Sequence, residues 1–404
     1  MFSLAPQLDP ISREHACRVA EHVRTHIEAA GGWLPFDAYM HEVLYAPGLG
    51  YYAAGSVKLA ENNPAATAGD FITAPELTPL FGHVLAQPVA HVLRACQARE
   101  VLEFGAGSGA LAAQIITALE EQGIDVRYSI LEVSPDLRAR QQARLAPFGD
   151  RVQWLNDLPT GFAGCVIANE VLDAMPVKLF RWDEDDTLFE RGVALGPAAS
   201  GRGEQPGAPA GPTPDFAFVW QDRLASTELE AAVRPRMPCF PGYVSEINLQ
   251  AEAFMRRLGE WLQAGAGFFI DYGFPRHEYY HPQRAQGTLM CHFRHRAHDD
   301  PLQLPGLQDI TAHVDFTAMA DAAYAGGLDI LGYTSQARFL LDAGLPAALQ
   351  ALQAADPAAY VRSLNAVQKL ISEAEMGELF KVLAVGREVN LPLPGFAYDR
   401  TGSL

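Results

Sequence analysis

Apolar residues near the N-terminus recur with a helical period. Ile11, Val19, Val23 and Ile27 share one side of a helix predicted over 11–30 and closed by Gly31 and Gly32. A second short helix is predicted over 36–45, and the small, Ala-rich stretch 54–68 around Asn62-Asn63-Pro64 reads as a loop. Thr73 and Glu76 have the spacing of a capping box, with Pro75 in the first turn of the helix they would start. From about residue 99 the pattern alternates between short apolar runs and amphipathic stretches. Strands are predicted at 101–104, 127–133, 152–155 and 165–168, with a helix carrying Leu111, Ile115 and Leu119 after the first. Ser134-Pro135 marks the N-terminus of another helix. Repeated units of this length imply a parallel sheet with right-handed crossovers.

The alternation breaks at 177–195, which reads as a hairpin with Asp183-Glu-Asp-Asp186 at its turn. Residues 196–214 are almost wholly Gly, Pro, Ala and Ser, a low-complexity loop. A helix at 248–264, a strand at 267–272, and strands at 328–333 and 379–384 complete the pattern. The expected architecture is α/β: a doubly wound, mostly parallel sheet over 99–404, preceded by a helical cap (1–98) and interrupted by an insertion at 177–246.

The chain has 404 residues, 49% hydrophobic and 19% charged, with a formal charge of -18. That charge argues against a nucleic-acid partner, which needs clustered Lys and Arg, and suits a cationic protein or peptide. An acidic surface is also an ordinary solubility device. The 5 cysteines are scattered and never spaced as CxxC, which points to reduced thiols and no zinc knuckle. No apolar run approaches the roughly 20 residues of a membrane span. The first helix mixes Glu with Arg and His, unlike a secretory or transit peptide. The expectation is a cytosol-like compartment.

The chemistry concentrates in Val101-Leu-Glu-Phe-Gly-Ala-Gly-Ser-Gly-Ala-Leu111. A strand ends in an acid, and Gly105, Gly107 and Gly109 then lead into a helix, as at nucleotide-type cofactor sites. The loose GxGxxA pattern also fits a dinucleotide, with Glu132 on a ribose. Asn156 and Asp157 after the third strand, near an adenine amine, and Asn169-Glu170-Val-Leu-Asp173 after the fourth favour S-adenosylmethionine. In that reading Glu132 takes the ribose hydroxyls and Glu103 meets the methionine ammonium.

Four segments occur together and in order: Gly69-Asp-Phe-Ile-Thr-Ala-Pro-Glu76, the turn 103–109, Asn169-Glu-Val-Leu-Asp-Ala-Met-Pro176 and Asp309-Ile-Thr-Ala-His-Val-Asp-Phe316. By these the chain resembles the MidA-like methyltransferases, the family that includes the mitochondrial complex I assembly-factor arginine methyltransferases. The resemblance implies a class I methyltransferase fold, S-adenosylmethionine as donor and symmetric dimethylation of a protein arginine, with a complex I subunit as the family's substrate. The stretch 196–214 departs from that pattern, and with no targeting segment evident the chain resembles a bacterial cytoplasmic member of the family rather than one of the mitochondrial matrix. Asp70, Thr73 and Glu76 are candidates to close over the donor, although the capping box alone explains Thr73 and Glu76.

Arginine has a pKa of about 12.5–13.8, so an enzyme that methylates it must hold and orient the charged fork. Glu170 is the first candidate for that clamp, Asp173 its partner and Asp271 a third strand-end carboxylate. His313, with Asp315 nearby, is a candidate proton relay; each of these acids and the histidine also has a purely structural account. His292, His295 and His298 lie beside Arg294 and Arg296, which disfavour a cation, so no metal is expected. A methyltransferase on another substrate, a non-catalytic assembly factor and an NAD(P)-dependent oxidoreductase remain as alternatives. The N-terminal helices could equally form a homodimer contact.

Overall fold

The computed structural model describes residues 8–54, 73–197, 214–294, 296–389 and 392–404. Asp70, His295, most of the 54–68 loop and nearly all of the 196–214 stretch lie outside the described residues. The chain divides into two compact units.

The first unit comprises Met1–Phe71, Met175–Leu249 and Tyr280–Ala312. Its long helix Pro10–Ala29 starts at Asp9, whose carboxylate accepts from the Ser12 amide at 2.9 Å, and a second helix runs Phe36–Tyr45. The expected hairpin is present. Strands Lys178–Trp182 and Leu188–Pro197 pair antiparallel, and Trp33–Pro35, Phe216–Leu224 and Val244–Ile247 extend the sheet. Val19, Val23, Ile27, Phe36, Tyr39, Val43, Leu179 and Val193 are buried together between helices and sheet.

The second unit comprises Ile72–Ala174, Gln250–Tyr279 and His313–Leu404. Seven of its strands are β1 (Glu100–Phe104), β2 (Arg127–Leu131), β3 (Val152–Leu155), β4 (Phe162–Asn169), β5 (Leu262–Phe274), β6 (Asp329–Ser335) and β7 (Phe380–Arg387). Among the described residues they are ordered β3-β2-β1-β4-β5-β7-β6, with the short strand Val314–Asp315 beside the end of β5. The pairs from β3 to β5 are parallel, and β7 runs antiparallel to both its neighbours. This mixed sheet flanked by helices is the class I methyltransferase arrangement. The strand order reverses between β1 and β4, and at such a point the C-terminal ends of adjacent strands leave a crevice.

The helix Leu80–Ala95 groups with this sheet rather than with an N-terminal cap ending near 98. The physical reason is its composition. Phe81, Val84, Leu85, Val89 and Val92 are buried with Leu111, Ile115, Ile130, Ile167 and Phe268 in one core. Full burial of each such side chain is worth about 1.5–3 kcal/mol. Likewise, the residues expected as an insertion in the sheet domain group with the N-terminal helices.

β4 and β5 approach closely where Gly164 lies opposite Gly265. At Gly265 φ is 124°, and a Cβ there would sit 1.8 Å from the Gly164 carbonyl oxygen. Backbone on both sides leaves nothing flexible to move. Gly265→Ala is therefore expected to destabilise the protein by roughly 2–3 kcal/mol, read by denaturant unfolding. An unchanged midpoint would show that the two strands can separate at no cost.

Candidate functional site

β1 ends in the glycine turn. The Gly105 amide donates to the Leu131 carbonyl at 3.1 Å, tying the turn to the end of β2. Gly105, Gly107 and Gly109 have φ of 58°, 54° and 80°. Among the described residues, nothing lies within 4 Å of the position a Cβ would take on Gly107. The left-handed backbone and that open space together make the turn a cradle for a ligand rather than a packed corner. Helix Ala110–Glu121 follows, burying Leu111, Ile115, Ile116 and Leu119.

Glu103 lies one residue before the end of β1 and is 2% exposed. Its Oε2 accepts from the Tyr128 hydroxyl at 2.8 Å. Burial raises its pKa from the usual 4.5 to about 8, the Tyr128 hydrogen bond opposes that rise, and the Glu132 charge adds to it. Glu132 follows the end of β2. Its Oε1 accepts from the Ser134 amide and its Oε2 from Gln141, both at 2.9 Å. Burial pushes its carboxyl up, against those two hydrogen bonds.

Gln141 is fully buried on helix Pro135–Leu145 and joins three pieces of the site. Its amide nitrogen donates to both Glu132 and the Gly107 carbonyl, each at 2.9 Å, and its oxygen accepts from Trp154 Nε1 at 2.9 Å. No pattern in Pro135-Asp-Leu-Arg-Ala-Arg-Gln-Gln-Ala-Arg-Leu145 distinguishes Gln141 from its exposed neighbour Gln142, so sequence reasoning missed it. Tyr128, Ser108 and Arg144 were missed for the same reason.

Thr73 occupies the N-cap of a short helix, Ala74–Leu77, but makes no side-chain cap bond there, so the expected capping box does not form. Glu76 turns instead to the glycine turn. Its Oε1 accepts from Ser108 Oγ and from Arg144 at 2.8 Å. Its pKa is lowered: burial acts against the shift, and Ser108 and Arg144 outweigh it. Asn156, just past β3, accepts from Arg138 at 2.8 Å, and Asp157 beside it is exposed.

At the end of β4, Asn169 Nδ2 donates to Glu170 Oε1 at 3.1 Å, while the buried Asn169 Oδ1 has no partner among the described residues. Glu170 has φ of 55°, a left-handed backbone costing a non-glycine residue about 1–2 kcal/mol. The Glu170 amide donates to Ile270 at 2.8 Å. Asp271 holds the next three residues. Its Oδ2 accepts from the amides of Val171, Leu172 and Asp173 at 3.2, 2.9 and 3.3 Å, and its Oδ1 from that of Tyr272 at 2.9 Å. Asp271 is 1% exposed. Its hydrogen bonds thus grip the 171–173 turn, where the sequence suggested a carboxylate facing the crevice.

Asp173 is buried, and its Oδ1 has no partner among the described residues. Burial raises its carboxyl to about 6, with a hydrogen bond from Tyr272 opposing. Asp271 is pushed well above the carboxylate range by burial first, then by the charges of Asp173 and Glu170.

His313 stacks on Phe274 with centroids 5.3 Å apart and packs edge-on against Tyr272 at 5.0 Å. Asp315 caps the next helix, Phe316–Ala325, accepting from the Ala318 amide at 3.0 Å. That bond uses Oδ1 of Asp315, and its Oδ2 lies 3.6 Å from Arg276 Nε. His292 and His298 lie on paired strands, with His298 opposite Cys291.

An open glycine turn, buried acids at three strand ends and unpartnered oxygens suit a ligand rich in positive charge and hydroxyls. Residues 84–334 match the family Methyltransf_28, described as S-adenosyl-L-methionine-dependent methyltransferases. The chain belongs to that family. Its methyl donor is S-adenosyl-L-methionine, which removes the dinucleotide alternative.

This methyltransferase is similar to a COG1565 superfamily member from Burkholderia thailandensis whose crystal structure has S-adenosyl-homocysteine bound. The two are 48% identical with a TM-score of 0.87, covering 98% of this chain and 99% of that one. It is also 28% identical to the mitochondrial protein arginine methyltransferase NDUFAF7 of Danio rerio, over 91% of this chain and 86% of the relative. The Homo sapiens protein of that name is 27% identical over 90% of this chain and 82% of its own length.

Glu103 sets a pH dependence. Its folded pKa of about 8 exceeds the usual 4.5, so between those values the folded methyltransferase holds a proton that the unfolded chain releases. The stability this group contributes is complete below about 4.5 and is lost as pH rises through about 8. Thermal unfolding of the ligand-free protein, wild type against Glu103→Gln, should show the wild type losing stability relative to the variant across that window. Parallel pH curves would mean that Glu103 is ionised in the fold.

Proposed function

We propose that this methyltransferase transfers a methyl group from S-adenosyl-L-methionine to a guanidinium nitrogen of an arginine on a protein substrate. The observation that carries the reading is the Glu170 carboxylate, held on a left-handed backbone at the tip of β4 with buried Asp173 three residues on. Strain of that kind persists where the surroundings enforce it, and it concentrates at functional sites. The relatives named protein arginine methyltransferase, matched along about nine-tenths of this chain, support the same substrate class. Symmetric dimethylation, a complex I subunit as substrate and a homodimer rest on the resemblance and the helical N-terminus alone. The Burkholderia thailandensis homologue supports a bacterial setting, and a cytoplasmic one rests on the sequence alone.

In this reading Glu103 meets the ammonium of the donor's methionine moiety, and Glu132 takes its ribose hydroxyls. Gly105, Gly107 and Gly109 give its backbone room, and Asn156, Asp157 and Asn169 face its adenine and crevice sides. Glu76, fixed on Ser108 and Arg144, borders the turn; Thr73 and Asp70 precede it in the chain. When bound, the donor supplies a methyl group on a cationic sulfur, ready for in-line displacement.

The chain's own residues do the rest. Glu170 holds the planar guanidinium through two N–H donors and turns one nitrogen toward the methyl. Its oxygen accepts the proton released as the N–C bond forms, and Asp173 is the neighbouring carboxylate that shares the charge. Asp271 is a positioning residue, acting through the backbone of 171–173. His313 is the candidate to pass that proton on to solvent.

Two outcomes test the assignment. Gly107→Val should cost about 1–2 kcal/mol of stability for its backbone, yet abolish S-adenosylhomocysteine binding in a calorimetric titration. Full affinity in a folded Gly107→Val protein would place the ligand elsewhere. Deleting the gene in the host should remove methyls from one arginine of one protein, seen by mass spectrometry. Glu170→Gln should fail to restore them, with turnover down at least about 100-fold while donor affinity stays near wild type. Full restoration by Glu170→Gln, or a host proteome unchanged by the deletion, would refute the proposal.

A further inference from the structure

Within the first unit, helix Pro10–Ala29 carries His22 and His26 four residues apart, a spacing that stacks two imidazoles on one helix face. The ring centroids are 4.4 Å apart. Helix Phe36–Tyr45 brings Glu42 against both rings. Its Oε2 is 2.7 Å from His22 Nε2, and its Oε1 is 3.8 Å from His26 Nε2. One ligand atom from each of the three residues lies within 4.8 Å of the others.

The hydrogen bonding defines what this cluster lacks. His26 Nδ1 is 2.9 Å from the carbonyl oxygen of His22. A carbonyl only accepts, so Nδ1 carries the hydrogen, and in the neutral ring Nε2 presents its lone pair to Glu42. In that neutral tautomer two acceptors, the His26 Nε2 lone pair and a carboxylate oxygen, face each other without a proton between them. A cation between them turns that repulsion into attraction. A backbone bond on the far ring nitrogen is also how metal-binding histidines are oriented.

We propose that His22, His26 and Glu42 form a site for a divalent transition-metal ion of the zinc class. Two imidazole nitrogens favour Zn2+, Co2+ or Ni2+ over Mg2+ or Ca2+, which prefer all-oxygen shells. Three protein ligands leave a fourth tetrahedral position for water. On binding, the hydrogen between His22 Nε2 and Glu42 is given up, moving through solvent to Nδ1 of a neutral His22 ring or leaving to solvent from an imidazolium, and the ion takes its place as the bridge. The side chains are 29%, 43% and 20% exposed for His22, His26 and Glu42, so an ion can enter without opening the core. Once bound, it staples the two helices together.

The test is calorimetric titration of ZnCl2 into the full chain after chelator treatment. One equivalent should bind at ~1 µM or tighter. Addition of CoCl2 should produce the visible ligand-field bands of a low-coordinate site. His26→Ala and Glu42→Gln, shown to be folded by circular dichroism, should each weaken binding more than about 10-fold, while His292→Ala should not. Zn2+ should raise the unfolding temperature of the wild type and leave that of His26→Ala unchanged. The proposal is overturned if no stoichiometric equivalent binds. It is equally overturned if His26→Ala and Glu42→Gln bind as wild type does, because the cluster is then only an ion pair.

Discussion

The candidate site depends on one buried carboxylate. Asp271 accepts backbone N–H bonds from Val171, Leu172, Asp173 and Tyr272, and so fastens the end of β4 to β5. Each such hydrogen bond contributes about 0.5–1.5 kcal/mol, and four together are enough to offset the left-handed backbone at Glu170. Without that grip the turn has no reason to hold Glu170 in a conformation its side chain disfavours. The close pairing of Gly164 with Gly265 lower in the same two strands keeps their register. Side chain and backbone thus set the strand tip jointly.

A second feature is the crowd of acids around the reversal in strand order. Glu103, Glu132, Asp173 and Asp271 are all raised from the ordinary carboxylate range, each by burial first. A buried acid is costly to ionise alone and becomes favourable to ionise when a cation arrives. The family's donor carries a sulfonium and an ammonium, so the ligand can supply the charge the fold withholds. Gln141 keeps two parts of this arrangement in register by bonding Glu132 and the Gly107 carbonyl with one amide.

Where the candidate residues sit was legible because they follow strand ends. Glu103, the three glycines, Glu132, Asn169 and Glu170 all sit where an apolar run stops, and position along a strand is written in the local pattern. What each carboxylate does was not legible. Asp271 and Asp173 are the same residue type in similar places in the sequence, yet one is spent on four amides while the other keeps an oxygen with no partner among the described residues. Asp315, beside His313 in the sequence, also caps the helix Phe316–Ala325, a role its spacing did not announce. Thr73 and Glu76 have capping-box spacing, but Glu76 gains more from Arg144 and Ser108 than from an amide beside it. Such choices depend on partners tens of residues away, which spacing does not encode.

By itself the sequence determined the alternation of strands and helices, the hairpin at 177–195, the glycine turn and the family likeness. These rest on local period, local turn chemistry and short motifs, all carried within a few consecutive residues. Tertiary structure decided the rest. It moved the helix Leu80–Ala95 into the sheet's core, joined the mid-chain strands to the N-terminal helices, and reversed β7 between β5 and β6. It also brought His22, His26 and Glu42 together and buried Gln141. Those outcomes come from which apolar faces meet and which polar groups must then find partners, and only the folded chain assigns them.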